Sequence, residues 1–148
     1  MFDPYEILRH DPLIELRFER LCKQLRGYYS RQGEKAVIVL NKTLTQAERR
    51  CTLAEELAHH VLGHAGNYFT AQRTDWITLS KQEQDACVWA ADRLIDTHDL
   101  LTFAEQDHQL MAEEIAEHFW VTIDVLLFKL QRLVNIQNAG IFILPDIT

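Results

Sequence analysis

Arg49-Arg50-Cys51-Thr52-Leu53-Ala54-Glu55-Glu56-Leu57-Ala58-His59-His60-Val61-Leu62-Gly63-His64 is the stretch on which the reading of this chain turns. Residues four apart share a helix face, about one turn from each other. That spacing pairs Glu55 with His59. Leu53, Leu57 and Val61 fall on the far side, with Ala54 and Ala58 toward them. An apolar stripe can therefore pack while Glu55 and His59 point into a cleft.

In the motif HExxH, two histidines at i and i+4 bind zinc and the glutamate at i+1 is the general base. Here Glu55 stands at the first ligand position, Glu56 at the base position and His59 at the second ligand position. A carboxylate oxygen binds zinc at about the distance of an imidazole nitrogen, ~2.0–2.2 Å. His60 and His64 form a second pair four apart, and Glu56 joins their stripe. That rival set puts Val61 where the base should stand, so His60 reads as a rim residue. His64 reads as a cation near the helix end, where it meets the dipole favourably. The plain structural alternative for Glu55, Glu56 and His59 is a solvated polar face on an amphipathic helix.

Upstream, Thr45-Gln46-Ala47-Glu48 has the form of a capping box and starts the helix, which should run from about 46 to 64. Gly63 and Gly66-Asn67 supply its stop signal. Ala36-Val37-Ile38-Val39-Leu40 is a β-rich run and reads as a strand. Ile14-Glu15-Leu16-Arg17-Phe18 alternates apolar and charged residues, a second strand, and Gly27-Tyr28-Tyr29-Ser30 is a third. Gln32-Gly33-Glu34-Lys35 is a turn. Short connections imply an antiparallel sheet of about three strands. Asp3-Pro4 and Asp11-Pro12 bracket a short helix over residues 4–10.

Downstream, Ser80-Lys81-Gln82-Glu83 opens a helix over residues 80–96 with another capping box. It offers Glu83 or Asp85 as a third donor, and spacing does not choose between them. Cap duty is the structural alternative for Glu83, and a small buried hydrophobe is that for Cys87. A short helix covers 99–107, and helical periodicity returns over 109–119 and 122–135, ending at Asn138-Ala139-Gly140. Trp89, Phe119 and Trp120 read as core. His98, His108 and His118 have no partner at ligand spacing. Ile141-Phe142-Ile143-Leu144-Pro145 reads as an edge strand or a packed arm.

The chain has 148 residues, 47% of them hydrophobic, and no linker or repeat, which suits one domain over 1–148. A net charge of −7 disfavours nucleic acid as the main partner. The helices over 109–135 carry Glu113, Glu114 and Glu117 against Lys129 and Arg132, which argues against a DNA reader there. Three cysteines, Cys22, Cys51 and Cys87, without a CxxC pair do not make a disulfide framework, so a reducing cytoplasmic location is expected. No segment approaches the roughly 20 apolar residues of a membrane span, and the N-terminus does not read as a signal peptide.

Residues from about 26 to 95 resemble the ImmA/IrrE family of metallopeptidases. The family pattern runs from a glycine-aromatic strand, through an apolar strand ending in Asn, to Arg-x-x-Leu-Ala-His-Glu-Leu-Gly-His. This chain has Gly27-Tyr28-Tyr29, then Val37-Ile38-Val39-Leu40-Asn41, then Arg50-Cys51-Thr52-Leu53-Ala54-Glu55-Glu56-Leu57-Ala58-His59. The family's Glu-x-x-Ala-x-x-Phe-Ala matches Glu83-Gln84-Asp85-Ala86-Cys87-Val88-Trp89-Ala90, and Ile115–Val121 resembles a later helix-turn segment. Two departures stand out: Glu55 for His and Ala58 for Gly.

The order of elements along the chain reads as α+β, a small sheet followed by a mainly helical body, and the resemblance implies that this body is zincin-like. It implies a zinc ion held by Glu55, His59 and Glu83, with Glu56 as catalytic base. It selects Glu83 over Asp85. It also implies cleavage of a protein partner such as the helix-turn-helix repressor of a phage or mobile element. Two carboxylates would cancel the charge of Zn²⁺, which weakens it as a Lewis acid and shifts preference toward harder ions such as Mn²⁺. A degenerate site in a binding module that recognises a repressor without cleaving it is the second expectation.

Overall fold

A computed structural model describes residues 1–71, 79–107 and 109–138. Asp3 caps α1 (Pro4–His10), its carboxylate accepting from the Tyr5 amide at 3.0 Å, and Pro4 fills the first turn. β1 (Ile14–Glu19), β2 (Leu25–Gln32) and β3 (Lys35–Asn41) follow, then α2 (Gln46–Val61) and β4 (Asn67–Ala71). The body is completed by α3 (Lys81–Leu94), α4 (Thr97–Gln106), α5 (Ala112–Phe119) and α6 (Ile123–Asn138). Both capping boxes read from the sequence are present, at Thr45 with Glu48 and at Ser80 with Glu83. Among the described residues no helix is long and apolar enough to cross a membrane. The expected apolar tail over 141–145, the 139–140 end of the last helix and His108 lie outside the described residues.

The α+β class is as expected, but the sheet is not a three-stranded antiparallel one. It has four strands in the order β1-β3-β2-β4. β2 and β3 form an antiparallel hairpin that turns at Gly33, where φ is +62° and glycine meets no steric cost. β1 runs parallel to β3, from Ile14 opposite Ala36 to Glu19 opposite Asn41. Two chain reversals separate β1 from β3, so the two strands share a direction once they become neighbours. β4 is an added edge strand, antiparallel to β2. The glycines that stop α2 at Val61, short of the expected 64, hide this strand from a local reading.

α2 lies between two packed clusters. Leu53 and Leu57 meet Ile14, Tyr29, Ala36, Ile38 and Leu40 of the sheet. Cys51, Ala54 and Ala58 meet Ala86, Trp89 and Ala90 of α3 and, through them, the rest of the helical body. Small residues on both α2 and α3 let the two backbones approach. Gly27 serves the same end on the sheet side. A Cβ there would lie 2.7 Å from the Val39 carbonyl oxygen and 3.0 Å from Thr52 Cγ2.

Two motif residues hold the frame without touching the candidate site. The Asn41 amide donates to the carbonyls of Leu25 (2.9 Å), Leu21 and Cys22 (both 3.3 Å), closing the loop between β1 and β2. Arg50 is buried and donates to the Phe119 carbonyl at 2.9 Å, that of Trp120 at 3.2 Å and that of Phe2 at 2.8 Å. It ties the N-terminus and the end of α5 to α2, and burial lowers its pKa from the ordinary arginine value.

Candidate functional site

Every residue of α2 from Arg50 to His59 is buried. The solvated-face reading of Glu55, Glu56 and His59 is therefore wrong. Glu55 is 5% exposed, Glu56 0% and His59 2%. Packing on two sides leaves the middle of α2 no solvent face. Carboxylates and an imidazole in that position are costly unless they are hydrogen-bonded or used.

β4, which the sequence reading missed, supplies much of the surroundings. Thr70 is 3% exposed, and its hydroxyl donates to Glu56 Oε1. The Tyr68 ring stacks on His59 with centroids 3.8 Å apart and planes 9° apart. Tyr29 of β2 lies on His59 at 6.1 Å and 25°. Burial raises the Tyr29 pKa above the ordinary phenol value, with the Glu56 charge acting in the same direction. Burial also raises the pKa of Tyr68, whose ring covers His59, and the charge of Glu83 adds to the effect.

The two further histidines part company. His64 stands near the helix end, as expected, but it is 7% exposed and its Nδ1 meets His59 Nδ1 at 2.9 Å. One ring donates there and the other accepts. The His64 backbone amide also donates to the His59 carbonyl at 2.9 Å, which turns the chain back over the end of α2. His60 points elsewhere. Its Nε2 lies 3.0 Å from Asp11 Oδ2 and its Nδ1 lies 3.4 Å from the Tyr29 hydroxyl. The rival set Glu56-His60-His64 is thus not brought together. His60 is half-buried, in keeping with a rim position.

Glu83 is where its structural alternative put it. Its Oε1 accepts from the Ser80 hydroxyl at 2.9 Å and from the Ser80 amide at 3.4 Å. The fit to a divalent cation is therefore partial. Glu55 and His59 provide an oxygen and a nitrogen donor on one buried helix face. The His59 Nδ1 contact to His64 is of the kind that orients a metal-bound imidazole. Among the described residues, however, no three His, Cys, Asp or Glu side chains are grouped so as to hold an ion. Cys51, one turn before Glu55, is no nucleophile: burial pushes its thiol up to about 12.

The signals for the missed residues were weak. Asn67-Tyr68-Phe69-Thr70 carries three β-formers, but the run is short and directly follows Gly66. A family model described as Peptidase M78, IrrE N-terminal-like domain, matches residues 13–131. Neither a curated protein nor a solved structure matches the chain.

Proposed function

Because the chain belongs to the IrrE N-terminal-like peptidase family, we propose that it is a metal-dependent peptidase acting on one protein partner. The observation that carries this reading is the buried polar centre of α2. Glu55, Glu56 and His59 sit together on α2, a helix covered on both sides. Such burial is the condition under which a carboxylate becomes an effective general base.

In this reading Glu56 takes a proton from the attacking water and returns it to the leaving amine. Thr70 holds the Glu56 carboxylate in place through Oε1. Tyr68 and His64 fix the plane and rotation of His59. Glu55, His59 and Glu83 are the proposed donors for zinc, or for a harder divalent ion such as Mn²⁺. The ion would supply Lewis acidity at the scissile carbonyl and acidify water. The Glu83 carboxylate would have to combine that role with its cap hydrogen bonds from Ser80.

We further propose a helix-turn-helix repressor of a phage or mobile element as the partner, on the resemblance to ImmA-type members, and the cytoplasm as the compartment. Incubation with a purified helix-turn-helix repressor of a phage or mobile element tests the partner and the reaction together. Cleavage is expected, and chelation should abolish it. Glu56→Gln should slow it by about 10²–10⁴-fold. The Ser80–Glu83 cap favours a second reading, a module that binds the repressor without cleaving it. A complex that forms equally well with chelator, and never yields fragments, would select that reading.

A further inference from the structure

α6 carries a second apolar row besides the one it buries. Val125, Leu126 and Leu133 face the core. Ile123, Leu127 and Val134 lie on another face and are 40%, 51% and 45% exposed. With Leu130, which packs partly against the core edge, they fall at i, i+4, i+7 and i+11. That is the spacing of a coiled-coil seam. Trp120, 60% exposed, precedes α6 and lines a separate pocket with Phe2 and Arg49. It is the αL cap of α5, at φ 56° and ψ 44°, which projects a bulky residue where glycine is usual.

The seam is not electrically neutral. Beside Ile123 lies a groove of about 570 Å³ lined by Glu48, Glu113, Glu117, Asp124 and Arg26 among others. Arg26 is held within it, 3.1 Å from Asp124 and 3.8 Å from Glu48. Four carboxylates against one guanidinium leave the groove negative. The cations of α6 do not offset this, because Lys129 and Arg132 both turn to Asp92, at 3.0 and 2.5 Å.

We propose that this face of α5 and α6 docks an amphipathic helix of a partner protein, with apolar residues in heptad spacing and Lys or Arg along the flank that meets the groove. The charge selects this occupant over a second copy of the chain. Two copies would bring acidic grooves and a charge of −7 each into proximity. The surface is distinct from the α2 centre, so the inference holds whether or not that centre cleaves anything.

The probe is a synthetic peptide of about three heptads, leucine at the seam positions and lysine on the flanks, compared with a glutamate-flanked twin. The lysine peptide should bind, and its affinity should fall as salt rises. Leu127→Lys should weaken it about tenfold with an unchanged circular dichroism spectrum and melting temperature, because Leu127 is not core. Glu117→Lys should weaken the lysine peptide and strengthen its twin. Equal binding of both peptides overturns the charge argument, and no effect of Leu127→Lys overturns the surface. A dimer in sedimentation that Leu127→Lys dissolves would make a second copy the occupant. A large gain in affinity from Ile143→Asp would make the chain's own apolar C-terminus the occupant. Either outcome rejects the proposal.

Discussion

α2 and α6 are each sixteen residues long, and they depart from the rule of apolar inside and polar outside in opposite directions. α2 buries Arg50, Glu55, Glu56 and His59 in an unbroken run of ten buried residues. α6 leaves Ile123, Leu127 and Val134 in solvent while it buries Lys129. Burying charge costs several kcal/mol unless partners compensate, roughly by the scales for polar transfer. Exposed apolar surface forgoes about 25 cal/mol per Å². Neither cost improves the fold. The difference lies in what each departure can reach. Arg50 is spent on carbonyls that tie the frame, whereas Glu55, Glu56 and His59 are shut in, the last two against β4, so they can act only on what enters that space. The seam of α6 faces outward and can act only by being covered. A departure in the interior points to chemistry, and one on the surface points to a partner.

The contrast is sharpest within α6 itself, at two adjacent leucines. Leu126 is 0% exposed and Leu127 is 51% exposed. Leu126→Ala should cost about 2–5 kcal/mol, the loss of buried methylenes plus the cavity left behind. Leu127→Lys should stay within about 0.5 kcal/mol. Denaturant melts of the two variants measure this. If Leu127→Lys proves as damaging as Leu126→Ala, the seam is core and the comparison with α2 collapses.

Within α2 the corresponding test removes a partner rather than a side chain. Thr70→Val keeps the shape of the β4 side chain and deletes the hydroxyl that donates to Glu56 Oε1. A buried carboxylate deprived of a donor should lower stability by about 1–3 kcal/mol. Thr70→Ser, which keeps the hydroxyl, should recover most of it. Equal stability for valine and threonine would show that Glu56 does not depend on β4, and the account of how α2 tolerates its charges would need another support.

Locally encoded features were legible in the chain. Asp3-Pro4, Thr45 with Glu48 and Ser80 with Glu83 each set a helix start within four residues, and the structure has all three. β3 was legible because its β-branched run needs no distant partner to be recognised. The parallel pairing of β1 with β3 was not, since it depends on which side of the hairpin the first strand settles. Nor was the burial of α2. The i, i+4 pattern put Glu55 and His59 on one face, but whether that face meets water depends on how α3 and β4 pack back onto the helix. His64 stands near the helix end as expected, but its pairing with His59 was not legible. Helix spacing says nothing of a residue beyond the helix end, and its contact with His59 arises from the return of the chain after Val61. Glu83 carried two readings. Its cap was visible locally, whereas a metal role rests on resemblance and on the proposal above.

A smaller effect probes how dry the helical side of α2 is, at Cys51 one turn before Glu55. Burial pushes the Cys51 thiol from the ordinary 9.0 up to about 12, and a hydrogen bond from the Thr122 amide at 3.5 Å only partly opposes it. The thiol is neutral when protonated, so a raised pKa means that the folded state holds its proton longer than the unfolded chain does. The associated stability is complete below pH 9 and is lost as pH rises toward 12. Tyr29, also raised by burial, shares this sign. The wild-type chain should therefore lose stability across that alkaline window, and Cys51→Ala should lose it less steeply without becoming flat. Denaturant midpoints measured at intervals across the window give the two slopes. Identical slopes would mean that water reaches Cys51 in the folded state. The carboxylate of Glu55, one turn further along the same helix, would then sit in a wetter place than its 5% exposure implies, and the opposition between α2 and α6 would weaken from the inside.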